Sequence, residues 1–195
     1  LFPYTTLFRS DIQEKSFGKD DRELSIYLLE LGTTASHLGN HLKGKEALER
    51  ALEIQKLHFS NDDPIFAATL HFLGDCYQNI GENEKAEDSY EKALEILEKK
   101  HGLESSVLVK LLITLGDLNN DYGKIDAIEL LESALQIQQN HFGENDAGNV
   151  PILESLGNAY FDLEVSEKYL KGFEYCEKVL SYYHQIENHD GAYKA

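Results

Sequence analysis

Cations are scarce in this chain: 18 lysines and arginines stand against 35 aspartates and glutamates, for a formal net charge of −17. Nucleic-acid binding needs a basic stripe to neutralise phosphates, and none is visible, so nucleic acid is not an expected partner. An acidic balance favours solubility and basic or neutral partners; the plainer alternative is a hydrated acidic surface with no partner meaning. Cysteine is scarce too. Cys76 and Cys176 make no disulfide framework in a chain of 195 residues. Both stand among apolar neighbours on helical patterns, which reads as buried reduced thiols and a reducing, cytoplasmic compartment. No apolar run approaches the roughly 20 residues that a membrane-spanning helix needs, so no membrane partner is expected. No alternating strand pattern of any length occurs. Methionine is absent altogether.

What is present is a repeat. Leu-Gly recurs at Leu31-Gly32, Leu73-Gly74, Leu115-Gly116 and Leu156-Gly157, in steps of 42, 42 and 41 residues. A second column agrees: Ala51-Leu52-Glu53-Ile54, Ala93-Leu94-Glu95-Ile96 and Ala134-Leu135-Gln136-Ile137, with Val179-Leu180-Ser181-Tyr182 in the fourth copy. An aromatic residue and a polar turn punctuate the copies, as at Phe17-Gly18, Phe59-Ser60, His101-Gly102 and Phe142-Gly143. Columns that share one period indicate a single supersecondary unit copied along the chain.

Each copy carries two helical patterns. In the second, Phe66, Leu70, Leu73 and Tyr77 follow the spacing of one apolar face, Gly81-Glu82-Asn83 breaks it, and Ala86, Tyr90, Ala93, Leu94 and Leu97 form another. Pro64 and Pro151 fall at or inside a first helical turn, where a missing N–H is harmless. The class is all-α. Gly inside a helix costs about 1 kcal/mol relative to Ala. Gly32, Gly74, Gly116 and Gly157 therefore call for a compensating close approach of the partner helix. Gly44, Ala86, Ala127 and Gly172 offer it a small surface. One hairpin cannot bury its faces alone, so neighbours stack into a continuous core.

Copy two, with Leu70, Leu73, Gly74, Tyr77, Ala86, Tyr90 and Ala93, resembles the tetratricopeptide repeat. The longer period, the ALEIL-type second helix and the aromatic-Gly-acidic turn resemble the 42-residue variety of kinesin light chains and nephrocystin-3-like proteins. The likeness spans about residues 11–191, with repeats at 22–63, 64–105, 106–147 and 148–191. Copy one departs from the pattern at Ala35 and Gly44, copy three at Asn119, and copy four at Gly172 and Cys176. The resemblance implies a right-handed superhelical solenoid of antiparallel helix hairpins. Its concave face, lined by the first helices, would hold a peptide or partner helix.

That register names the groove. Copy one contributes Leu29, Thr33, Ser36 and His37, and copy two His71, Asp75, Gln78 and Asn79. Copy three contributes Lys110, Ile113, Asp117, Asn120 and Asp121, and copy four Glu154, Asn158, Phe161 and Asp162. These positions lie off the Leu-Gly face. Five carboxylates against one lysine suit a basic or amphipathic peptide. Some tetratricopeptide repeats capture a C-terminal carboxylate with Lys, Arg and Asn; only Asn158 and Lys110 sit comparably, which disfavours that mode.

Other signals are weaker. Gly39 to Lys45 resembles a phosphate-binding loop, but a helix precedes it and Glu46 stands where Ser or Thr would hold magnesium. His37 and His41 have a zinc-compatible spacing, broken by Gly39. His184 and His189 read as turn or end histidines. Nothing singles out an acid/base pair of carboxylates or a nucleophile. The reading is a non-enzymatic scaffold without cofactor or metal. The alternative is the sensor arm of a larger regulator whose effector domain lies elsewhere.

The ends read differently. Residues 1–10, LFPYTTLFRS, match nothing in the repeat and resemble the translation of a common sequencing-adapter oligonucleotide, so they are set aside as an artefact. Ile12, Gln13 and Phe17 align with Ile54, Gln55 and Phe59, which makes 11–21 the end of a truncated preceding repeat. Asn188 to Gly191 resembles the inter-repeat turn, and 192–195 the start of a further repeat. The expectation is an internal piece of a longer protein.

Overall fold

A computed structural model describes residues 20–124, 126–162 and 166–192, with side chains given except at 166–168 and 185–192. The expectations for residues 1–10, for 11–19 and for 193–195 lie outside them. Every regular element among the described residues is helical: α1 (Arg22–His37), α2 (His41–His58), α3 (Pro64–Asn79), α4 (Asn83–His101), a 3-10 turn (Ser106–Leu108), α5 (Val109–Asp121), α6 (Asp126–Phe142), α7 (Asn149–Asp162) and α8 (Ser166–Ala192). They pair as hairpins: α1 with α2, α3 with α4, α5 with α6 and α7 with α8. The fold is an all-α helical repeat in two compact units that divide after Gly102.

Local chemistry starts these helices. The Asp21 carboxylate accepts from Glu23 N at 2.7 Å, and the Asp63 carboxylate accepts from Ile65 N at 3.0 Å, one residue after Pro64 occupies the first helical turn. Asp146 accepts from Gly148 N at 2.8 Å, just ahead of α7. Ser105 caps the 3-10 turn in copy three. The polar residues that punctuate the repeat are thus N-caps, each satisfying a backbone donor left over at a helix start. Inside a hairpin the chain reverses at Gly39, Gly81 and Gly123, with φ of +78°, +82° and +64°. A Cβ there would strain the backbone.

In the first unit, α2 packs on α3, and α1 also lies beside α3. Leu24, Leu28, Ala47, Ala51 and Ile54 form one core cluster, and Leu48 and Tyr90 are fully buried. In the second unit, α6 packs on α7, and α5 lies beside α7, over fully buried Leu118, Leu131, Ile152 and Leu156. Burial of each large aliphatic side chain contributes roughly 1.5–3 kcal/mol.

The Leu-Gly column works by close approach, with one refinement. A Cβ on Gly32 would lie 2.5 Å from Leu48 Cγ, one on Gly74 2.5 Å from the Tyr90 ring, and one on Gly116 2.7 Å from Leu131 Cγ. The group that needs the space is the large residue one turn after the small one, not the small residue alone. In the fourth copy that large residue is Cys176, whose Sγ would stand 3.3 Å from a Cβ on Gly157. Cys76 is buried, Cys176 is half-buried, and both are free thiols.

One expectation is corrected. The turn read at Asn188 to Gly191 is absent: α8 continues through it to Ala192. A single Gly costs a helix only about 1 kcal/mol, and without proline nothing there forces a break.

Candidate functional site

The named groove positions fall into two groups, one in each compact unit. In the first unit they come from α1 and α3. Thr33 is half-buried, and its Oγ1 donates to Glu30 O at 3.0 Å. The exposed His37 ring meets Phe72 edge-on, with centroids 6.1 Å apart. His71 lies against both Phe72 at 5.3 Å and Tyr90 at 5.9 Å, and its Nε2 is 3.9 Å from Asp75 Oδ1. The buried Tyr90 hydroxyl donates to Asp75 Oδ1 at 2.7 Å, and its oxygen lies 3.2 Å from Gln78 Oε1. Burial, then the Asp75 charge, pushes the Tyr90 phenol far above its usual range. Asn79 is exposed, and its Nδ2 donates to Asp75 O at 2.8 Å. Asp75 and Gln78 thus present one polar atom each to a structural tyrosine. The rings of His37 and His71 flank Phe72.

Phe72 is the residue that sequence reasoning missed. Its signal was available: an aromatic directly before Leu73 sits on the otherwise polar side of α3. The Gly39–Lys45 segment is the α1–α2 reversal, and Lys45 Nζ pairs with Glu82 at 3.2 Å. His41 Nδ1 lies 3.4 Å from Ser36 Oγ, so His37 and His41 face different partners. Ser36 itself is buried at 8% exposure and is not open to a ligand.

In the second unit the positions come from α5 and α7. Lys110, Asp117, Asp121, Glu154 and Asn158 are exposed. Asn120 Nδ2 donates to Asp162 Oδ2 at 2.9 Å, tying the two helices together. The Asp117 carboxyl is held above its usual range, first by partial desolvation and then by Asp121, while a hydrogen bond from Ser155 opposes the shift. A carboxylate displaced in that direction gains from a cation placed beside it. Phe161 is half-buried, and its ring packs on Phe173 at 5.3 Å and Tyr169 at 6.0 Å. It faces its own hairpin partner α8 with much of its surface. Among the described residues no group of three or more His, Cys, Asp or Glu converges to hold a metal, and no helix is long and apolar enough to cross a membrane.

A second recurring feature links successive hairpins. The Tyr77 hydroxyl donates to Glu49 Oε1 at 2.8 Å, and the Tyr160 hydroxyl donates to Glu132 Oε1 at 2.7 Å. Cations lie over both rings: Lys45 and Lys85 over Tyr77 at 5.8 and 5.4 Å, and Lys171 over Tyr160 at 5.4 Å. These tyrosines hold one repeat to the next, and the groove residues are displayed from the helices so fixed.

Residues 22–99 match the family model of the tetratricopeptide repeat. No curated protein matches the chain. Solved structures do. A Podosopora anserina protein assigned as a kinesin light chain, with nearly identical TPR-like repeats, superposes with a TM-score of 0.81 at 20% identity, over 94% of this chain and 86% of that one. BtubC (BKLC) from P. vanneervenii superposes with a TM-score of 0.77 at 23% identity, over 86% and 66%. MamA does so at 0.67 and 20% identity, over 92% and 87%. At these identities the likeness carries the fold. Tetratricopeptide repeats mediate protein–protein interaction, and such arrays are typically scaffolds rather than catalysts. Residues 22–99 thus carry tetratricopeptide repeats by sequence, and the chain shares the fold of kinesin-light-chain-like repeat arrays.

Proposed function

We propose that this chain is an interaction scaffold that holds a basic, amphipathic segment of a partner protein on the face made by its first helices. The observation that carries this reading is the exposed carboxylates of Asp117, Asp121 and Glu154 on α5 and α7, where the Asp117 carboxyl is pushed up first by desolvation and then by Asp121. The His37–Phe72–His71 patch supports the amphipathic half of the proposal, because it offers ring surface beside the carboxylate of Asp75. Helix-in-groove recognition uses this combination of apolar anchors and complementary charge. A preformed helical surface also lowers the ordering entropy that opposes binding. Within each compact unit the two copies, 22–63 with 64–105 and 106–147 with 148–191, contribute one first helix each to that unit's part of the surface.

The test is fluorescence anisotropy with a labelled amphipathic Leu/Lys peptide and its Leu/Glu counterpart. The Lys peptide is expected to bind and the Glu peptide not to. Reversal of Asp117 and Asp121 to Lys together should weaken the Lys peptide at least tenfold while helical circular dichroism is kept. Asp75→Lys is read separately, because Asp75 also holds Tyr90. Equal binding of both peptides, or an unchanged affinity in the reversed variant, overturns the proposal.

A further inference from the structure

A cleft of about 530 Å³ opens in the second unit where the turn after α6, the start of α7 and the middle of α8 meet. Val150 and Leu153 form its apolar wall, with the half-buried Tyr182 ring. Glu144, Glu174 and Glu177 line its polar side, and none of the three makes an ion pair among the described residues. Lys178, the cation in the lining, lies 5.4 Å from the Tyr175 ring centre.

The second observation is independent of this charge. Asn149 also lines the cleft and is only 2% exposed. Its Nδ2 donates to Gly143 O at 2.9 Å and to Glu144 O at 3.0 Å, which fixes the amide orientation. Its Oδ1 accepts from nothing among the described residues. A buried acceptor without a donor is unfavourable and rare in folded proteins.

The first unit provides the contrast. A cleft of about 760 Å³ occupies the same place in the repeat register, where Leu70 stands for Leu153 and Lys92 for Lys178. There the position of Asn149 is taken by Phe66, 4% exposed, and the rim carries Lys56, Lys92 and Lys99. One copy has an apolar plug under a mixed rim of three lysines with Asp62 and Glu95; the other has an unsatisfied amide oxygen under a rim in which carboxylates outnumber the single Lys178.

We propose that the cleft of the second unit binds an organic cation, an ammonium or guanidinium on an aliphatic stem. The head group donates to Asn149 Oδ1 and neutralises Glu144, Glu174 and Glu177. The stem lies on Val150 and Leu153, and Tyr182 adds a ring face for the cation. Acidic side chains on a volume of this size suit an extended cation better than a bare ion. The chemistry is shared by a free polyamine and by a Lys or Arg side chain of a protein. The site uses the Asn149–Leu153 end of α7 and not Glu154, Asn158 or Phe161, so it stands or falls independently of the proposed groove.

The test is isothermal titration of the whole chain with spermidine, and separately with N-acetyl-arginine amide. At least one is expected to saturate at one site per chain. Glu144→Gln with Glu177→Gln should weaken that binding at least tenfold. The control pair Glu84→Gln with Glu91→Gln, which removes the same charge from the first unit, should leave it unchanged. Asn149→Phe, which copies Phe66, should abolish it; if that variant loses helical structure, the carboxylate pair decides. Saturation by spermidine alone assigns a free polyamine, and saturation by the arginine amide assigns a protein side chain. No saturable binding of either, or equal weakening by the control pair, overturns the proposal.

Discussion

The hydroxyl of Tyr77 donates to the carboxylate of Glu49 at 2.8 Å, from the first helix of one copy to the second helix of the copy before, and Tyr160 repeats the bond to Glu132. Tyr77 is 8% exposed, so the bond operates in a partly dry setting. A hydrogen bond to a charged acceptor contributes about 1.5–3 kcal/mol. Tyr77→Phe is expected to cost about 1–2 kcal/mol in urea unfolding, and Glu49→Gln less, because an amide oxygen still accepts. A double-mutant cycle on Tyr77 and Glu49 should give a coupling above about 0.5 kcal/mol. Additive effects would show that the bond carries no stability.

The same burial makes the fold sensitive to alkali. Desolvation is the first cause that pushes the phenols of Tyr77, Tyr90, Tyr160 and Tyr175 above the usual value of about 10. Their folded pKa values exceed the unfolded ones, so the folded state binds more protons in that window. The stability they contribute is full below pH 10 or so and is lost as pH rises above it. Absorbance at 295 nm should show exposed phenols such as Tyr122 and Tyr183 ionising first. The buried set should ionise only together with loss of helical circular dichroism. Smooth titration of all tyrosines with the helices intact would contradict this.

Two glycines of one column should respond in opposite directions to alanine. At Gly74 a Cβ would meet three atoms of the Tyr90 ring at 2.5–2.9 Å, and that ring is fully buried and tethered by Asp75. Overpacking of this kind costs about 1–3 kcal/mol, more than the helix-propensity gain of about 1 kcal/mol. Gly74→Ala is therefore expected to destabilise. At Gly157 the nearest atom is Cys176 Sγ at 3.3 Å, on a half-buried side chain that can give way. Gly157→Ala is expected to be neutral or stabilising by up to about 1 kcal/mol. Thermal melts of the two variants decide, and the same sign in both would refute the packing account.

Asp117 links stability to acid. Its folded pKa is raised by desolvation and by Asp121, so the charged form is disfavoured in the native state. A raised carboxyl withdraws stability at neutral pH and returns it as pH falls through the folded pKa toward the unfolded one. Asp117→Asn is expected to raise the melting temperature at pH 7, with the gain vanishing near pH 4. Asp121→Asn should lower the Asp117 pKa, read by carbon-13 NMR titration of the side-chain carboxyl. An unshifted Asp117 resonance in that variant would remove the like-charge cause.

The sequence by itself determined the period, the all-α class, the hairpin reversal at Gly81, and the need for close approach at the Leu-Gly column. These features are local or strictly periodic, and each depends on one residue's backbone freedom or one helix's apolar face. The tertiary structure decided what fills the space each column leaves. Sequence spacing pointed Gly74 toward small Ala86, but the side chain that needs the room is Tyr90, and its hydroxyl engages Asp75 and Gln78 of the candidate groove. Spacing displayed Phe161 toward a ligand, but a large part of its ring packs on Tyr169 and Phe173. The change from Phe66 to Asn149 is one letter in an aligned column, yet only three converging chain segments turn it into an unsatisfied oxygen lining a cleft. Periodicity fixes which way a side chain leaves its own helix, whereas burial, hydrogen bonding and charge depend on residues tens of positions away that only packing brings within reach.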